Sequence, residues 1–236
     1  MGEILRIERL DKSFGRSMVL RNLDLTLEQG KVHGLLGRNG AGKTTLIRII
    51  MGIIPRDEGS LWFNGHAITY RDTAYKNDIG YVPEDPFFYD EMTIGDLLKL
   101  NSSFYSRWDA RKAEECLDRF ALGRKSRIGN CSRGMKLKLG LAVALASNPE
   151  LLILDDPTSG LDIPTRRDFL RDLIGRLAEE GTTILFSTHL VHELERIVES
   201  VHILHGGRLA FSGDYGEAKR ARGAADLEDL FLRVVA

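Results

Sequence analysis

Val32-His33-Gly34-Leu35-Leu36 is a short apolar run that leads directly into Gly37-Arg38-Asn39-Gly40-Ala41-Gly42-Lys43-Thr44-Thr45, and a helix-like pattern follows through Met51. The loop fits glycine, any four residues, then glycine-lysine-threonine, the pattern of a phosphate-binding loop. Such a loop must wrap an anion so closely that several backbone N–H groups reach it together, which requires glycine at the tight points. The helix behind the loop turns its unpaired N-terminal amides on the same anion. Lys43 is placed to meet the β- and γ-phosphates of a nucleotide, and Thr44 to offer its hydroxyl to Mg2+. Gly37, Asn39, Gly40, Ala41, Gly42, Lys43, Thr44 and Thr45 are therefore the candidate nucleotide contacts.

The rest of the chain alternates strand-like and helix-like segments, which predicts an α/β protein with a largely parallel sheet. Ile4–Leu10 and Val19–Leu27 alternate apolar and polar residues as half-buried strands do, and Leu61–Phe63 and Ile79–Val82 read as further strands. From Thr93 to Ala146 the signal is helical throughout, with Thr93 and Asp109 as N-caps and apolar positions at helical spacing over Arg133–Ala146. Asn148-Pro149 ends that stretch. Strands resume at Leu151–Leu154, Thr183–Ser187 and Val201–Leu204, and Ala225–Leu232 reads as a short amphipathic helix with no further regulatory domain expected after it. The layout predicts one domain over 1–236, with a core of 1–86 and 150–236 interrupted by an all-helical subdomain over 87–149.

Leu151-Leu152-Ile153-Leu154 runs into Asp155 and Asp156. An apolar strand ending in paired acids suits a nucleotide site, where Asp155 would hold Mg2+ through its water shell and Asp156 would polarise an attacking water. The balance of 33 Lys and Arg against 34 Asp and Glu gives no basic footprint, so no nucleic-acid partner is expected. The 2 cysteines, Cys116 and Cys131, are too few for a disulfide framework and suit a reducing compartment. Met1-Gly2-Glu3-Ile4 opens without a secretory pattern, and no apolar stretch approaches the roughly 20 residues that span a bilayer. Any action at a membrane is expected to run through a partner.

Further motifs carry a family resemblance over nearly the whole chain. Cys131-Ser132-Arg133-Gly134-Met135 opens the helix to Ala146 and resembles the signature motif of ABC-type ATPases, with Ser132 and Gly134 matching strictly. Ser159-Gly160-Leu161-Asp162 resembles their D-loop, Ser187-Thr188-His189 their switch histidine, and Ile79-Gly80-Tyr81-Val82-Pro83-Glu84 stands where they carry the Q-loop. Phe14, just before Gly15, matches their adenine-stacking aromatic. The resemblance implies a P-loop NTPase (RecA-like) core with an N-terminal antiparallel β subdomain and an inserted helical subdomain. It implies ATP as ligand and Mg2+ bound by Thr44, Glu84 and Asp155, with Asp156, His189 and Glu84 as catalytic groups. It also implies head-to-tail pairing with a second ABC ATPase subunit, same or related, in which Ser132 and Gly134 of one reach the γ-phosphate of the other and Asp162 joins the nucleotide site. A transmembrane permease would dock near Pro86-Phe87-Phe88-Tyr89 and hold the chain at the cytoplasmic face of the membrane.

The chain departs from the family pattern at three points. Asp156 stands where the catalytic glutamate is usual, Glu84 replaces the Q-loop glutamine, and the signature varies at Cys131, Arg133 and Met135. Glutamate at position 84 resembles the ABC-2-type branch that exports drugs, peptides or ions. Two readings stay open: a transport ATPase, and a slowly hydrolysing ATP-binding half of a heterodimeric complex. A soluble repair or translation ATPase would need coiled-coil insertions or tandem ATPase units, and a kinase has no use for Ser132 and His189.

Overall fold

The computed structural model describes residues 2–158, 166, 177 and 181–235. Two sheets organise them. β1 (Glu3–Phe14), β2 (Ser17–Glu28), β4 (Glu58–Phe63) and β5 (His66–Ile68) form an antiparallel sheet in the order β2-β1-β4-β5. The second sheet holds β3 (Val32–Leu36), β6 (Ile79–Val82), β7 (Leu151–Asp155), β8 (Thr183–Thr188), β9 (Ser200–His205) and β10 (Arg208–Asp214). Its order is β10-β9-β3-β8-β7-β6, parallel throughout except for the β9–β10 pair.

Parallel strands covered on both faces must be apolar at nearly every position, and β3, β7 and β8 are buried along their whole length. Alternate side chains then serve different cores. Leu35, Leu151, Ile153, Leu185 and Leu204 pack with the antiparallel sheet and with α1 (Lys43–Ile50). Val32, Leu36, Leu152, Leu154, Ile184 and Phe186 belong to a second core on the opposite face. α4 (Arg133–Ala146) contributes Leu137, Leu141 and Leu145 to that second core. The same core takes Ala218 from α5 (Tyr215–Arg222) and Leu227 and Leu230 from α6 (Leu227–Val235).

Between β6 and β7 lie α2 (Ile94–Ser102), α3 (Ala110–Arg119) and α4. Their starts follow the expected capping chemistry. Thr93 forms a capping box with Asp96, Asp109 Oδ1 accepts from Lys112 N at 3.0 Å, and Ser132 Oγ accepts from Met135 N at 3.3 Å. The helical signal from Thr93 to Ala146 resolves into these three helices joined by non-helical connections. Ala121 adopts a left-handed φ of 53° just after α3, and the connection from 103 to 109 is pinned by Arg107, which pairs with Asp78 and Glu150 at 3.0 Å each. β5, β10 and α5 carry no clear sequence signal. β10 is an edge strand with no buried residue, and α5 buries only Tyr215 and Ala218, so neither needs a strong apolar pattern.

A buried chain of hydrogen bonds joins the two sheets beside the strand that feeds the phosphate-binding loop. His33 Nε2 lies 2.9 Å from the Glu28 carbonyl oxygen, His33 Nδ1 lies 3.1 Å from His202 Nε2, and His202 Nδ1 lies 2.8 Å from Ser212 Oγ. A carbonyl only accepts, so His33 Nε2 donates to it. His33 Nδ1 then accepts from His202 Nε2, and His202 Nδ1 accepts from the Ser212 hydroxyl. Both rings satisfy every nitrogen in the neutral state and neither has room for a second proton. Burial pushes His202 down to about 3 and lowers His33 as well, although the Glu28 carbonyl opposes the shift at His33. Since protonation is favoured only in the unfolded chain, this contribution is complete above pH 6.5, the ordinary histidine value, and is lost as pH falls below it. His202 should cost about 1.4 kcal/mol per pH unit in that window, and His33 acts in the same direction. Urea midpoints at about pH 7.5 and about pH 5.5 should differ accordingly, and His202→Gln should flatten that slope whatever it does to the level.

Candidate functional site

β3, β8 and β7 are parallel neighbours, so their C-terminal ends open on one edge, with Leu36 opposite Thr188 and Asp155 opposite Ser187. Ligands of open α/β sheets bind outside such ends. A cleft of about 440 Å³ lies there, lined by Phe14, Val19, residues 39–45, Glu84, Asp155 and Asp156. The loop is shaped by two left-handed glycines, Gly40 at φ 80° and Gly42 at φ 111°. At Gly42 a Cβ would lie 2.8 Å from Leu20 Cδ2, so neither the conformation nor the space admits a side chain. Lys43 Nζ donates to the Gly37 carbonyl at 2.8 Å and the Arg38 carbonyl at 3.4 Å. Burial lowers the Lys43 ammonium from its ordinary value, and Asp156, Asp155 and Glu84 pull it back up. Gly37 itself does not line the cleft, and its backbone packs against the Leu204 carbonyl.

The acids are held from behind by Ser187. Its hydroxyl donates to Asp155 Oδ1 at 2.7 Å, and the same oxygen accepts from Thr44 Oγ1 at 3.2 Å. Burial raises the Asp155 carboxyl, and these hydrogen bonds oppose the rise. Asp156 sits at φ 44°, a strained position for a residue with a side chain, and its N–H donates to both the carbonyl and the hydroxyl of Ser187 at 3.0 Å. Asp156 Oδ2 accepts from His189 Nδ1 at 2.6 Å. Asp156 Oδ1 is buried with no hydrogen-bond partner among the described residues. Glu84 is exposed at the rim, and its carbonyl accepts from Arg133 Nη2 at 3.3 Å.

The fold thus brings Phe14, the loop, Glu84, Asp155 and Asp156 to one cleft, with His189 attached through Asp156. Ser132 and Gly134 stand at the N-terminus of α4 and do not line it. Ser159, Gly160, Leu161 and Asp162 lie outside the described residues. Sequence reasoning omits Val19 and Ser187. Val19 carries no chemistry to flag it, and the role of Ser187 depends on β8 lying beside β7, which strand patterning does not reveal. Among the described residues no cluster of three or more His, Cys, Asp or Glu forms a metal cage. A divalent cation here would be shared with phosphate oxygens, and the paired Thr44 and Asp155 oxygens with Glu84 at the rim fit that arrangement.

The sequence profile of the family described as ABC transporter matches residues 20–159. The chain belongs to the ABC transporter family. It is 34% identical over 216 residues to the ABC transporter ATP-binding protein YtrB of Bacillus subtilis (strain 168), covering 92% of this chain and 74% of that protein. It is 33% identical over 230 residues to the lantibiotic transport ATP-binding protein SrtF of Streptococcus pyogenes, covering 97% and 96%. A solved structure of the ATP-binding subunit of an ABC transporter superposes with a TM-score of 0.87 at 29% identity, covering 98% of this chain and 99% of that one. The chain is accordingly an ABC transporter ATP-binding subunit with the P-loop fold. Ser187→Ala in this ABC subunit leaves buried Asp155 short of a donor, which should cost about 1–3 kcal/mol of stability, read as a lower urea midpoint at unchanged slope.

Proposed function

We propose that this ABC subunit hydrolyses Mg2+-bound ATP and, as one of a pair, drives export through a separate permease. The observation that supports hydrolysis most directly is the dyad at the cleft wall, Asp156 bonded to His189 beside Lys43 and Asp155. Among the described residues Lys43 is the only lysine lining the cleft, against the carboxylates Glu84, Asp155 and Asp156, so a triphosphate alone would meet net repulsion. A divalent cation held by Thr44, Asp155 and Glu84 removes that conflict and, when bound, neutralises charge on the phosphate oxygens. Asp156 Oδ1, left without a partner among the described residues, is the atom available to orient a water and take its proton. His189 donates Nδ1–H to Asp156, which orients the ring and leaves Nε2 as an acceptor for the attacking water.

Pairing rests on α4. Ser132 Oγ accepts from its own helix at Met135 N, so its proton stays available to a phosphate on a partner subunit. The N-terminus of this 14-residue helix adds positive potential there. Docking to the permease rests on Phe87, 85% exposed, and Tyr89, 59% exposed, while Phe88 packs against the core. Among the described residues no helix is long and apolar enough to cross a membrane, so the reading places attachment at the cytoplasmic face on the permease. Export is favoured by Glu84 and by the lantibiotic transport role in the name of the similar SrtF.

Steady-state ATPase activity with Mg2+ tests the reading. Asp156→Asn should lower the rate about 100-fold or more while nucleotide binding persists, because it removes a general base. An unchanged rate in Asp156→Asn would overturn the assignment. Asp156→Glu separates the two kinds of subunit, since a gain from an inactive wild type would mark a nucleotide-holding half.

A further inference from the structure

Lys12 is buried in β1, yet its charge is fully engaged. Its Nζ donates to Asp57 Oδ1 at 2.7 Å, and Asp57 Oδ2 accepts from Ser13 N at 2.6 Å. The backbone N–H of Asp57 also donates to the Asp11 carbonyl at 3.0 Å, so the segment after α1 is stitched to the end of β1. The Lys12 bond and the Ser13 N–H hold the Asp57 carboxyl below its ordinary value, which keeps the ion pair charged. The same ammonium lies 5.3 Å from the centroid of Phe14. Phe14 is 52% exposed and lines the nucleotide cleft, whereas Lys12 does not line it. The ring therefore meets a fixed cation while remaining about half exposed at the cleft.

We propose that Lys12, fixed by Asp57, is a positioning residue that holds the Phe14 ring as a platform for the base of the bound nucleotide. This deepens the ATP-site reading above and rests on it. An exposed phenylalanine at the end of a strand would otherwise sample several rotamers, and stacking a base on it would cost the entropy of fixing one. A cation placed against one face is attracted to the ring and draws electron density towards itself. The opposite face becomes a better partner for an electron-rich purine. Because the ammonium acts on the ring and not on the base edge, the arrangement strengthens stacking without selecting between adenine and guanine. Asp57 is what makes this possible, since its carboxylate fixes the ammonium beside the ring.

Equilibrium ATP binding to the purified chain is the test, with inorganic tripolyphosphate as a competitor that has no base. Lys12→Met should weaken ATP about fivefold, which corresponds to about 1 kcal/mol, and leave tripolyphosphate affinity unchanged. Asp57→Asn should act in the same direction. Lys12→Arg should restore most of the loss, because a guanidinium also binds an aromatic face. In a Phe14→Leu background Lys12→Met should have no further effect on ATP. Equal weakening of ATP and tripolyphosphate, or an undiminished effect in the Phe14→Leu background, overturns the proposal, as does unchanged ATP affinity in Lys12→Met. Lys43→Ala is the control for the underlying site. If it leaves ATP binding intact, the nucleotide-site reading itself fails, whereas loss in Lys43→Ala with none in Lys12→Met defeats the platform alone.

Discussion

The parallel hydrogen-bonded register of β3, β8 and β7 is the constraint on which the site depends. It aligns Leu36 with Thr188 and Asp155 with Ser187, so that the phosphate-binding loop, the switch segment and the paired acids leave the sheet at the same level. A slip of one residue would exchange the two faces of each strand. Leu152 and Leu154 would then face the antiparallel sheet, and Leu151 and Ile153 the helices, while Asp155 would lose Ser187 and Thr44. The two cores thus enforce the register, and the register assembles the chemistry. The histidine chain from Glu28 to Ser212 adds polar specificity to the same sheet, because a slip there would strand buried imidazole nitrogens.

Electrostatics at the cleft are arranged around a missing balance. Lys43 is bonded to carbonyls of its own loop and is surrounded by Asp155, Asp156 and Glu84. Carboxylates in this excess are tolerated only because each is tied elsewhere or hydrated. Asp155 is bonded to Ser187 and Thr44, Asp156 leans on His189, and Glu84 remains exposed to solvent. The helix behind the loop contributes its N-terminal amides to the positive side. Among the described residues no lysine besides Lys43 lines the cleft to balance these acids.

Much of this is legible in the sequence because the constraints are local. A glycine-rich loop between a strand and a helix, an apolar strand ending in Asp155 and Asp156, and caps such as Thr93 and Asp109 are each decided by a few neighbouring residues. The bounds of β3, β6 and α4 agree with the patterning for the same reason. What could not be read depends on strand neighbours or on solvent. Ser187 joins the acids through sheet order, and His33 meets His202 across a gap of 169 residues. β10 and α5 are mostly exposed and leave their apolar periodicity unwritten.

Asp156 shows how one shortened side chain changes a site without dismantling it. A glutamate at this position has an additional methylene with which to project a carboxylate into the cleft. The aspartate sits at a left-handed φ of 44° and spends one oxygen on His189, while the other is buried with no partner among the described residues. The strain is supported by the two bonds its N–H makes to Ser187, which over-determine the conformation. The shorter acid is therefore not a loose remnant. Its backbone is fixed by β8 and its carboxylate by the residue just beyond β8, so the side chain is held in one orientation by groups from a neighbouring strand and its end.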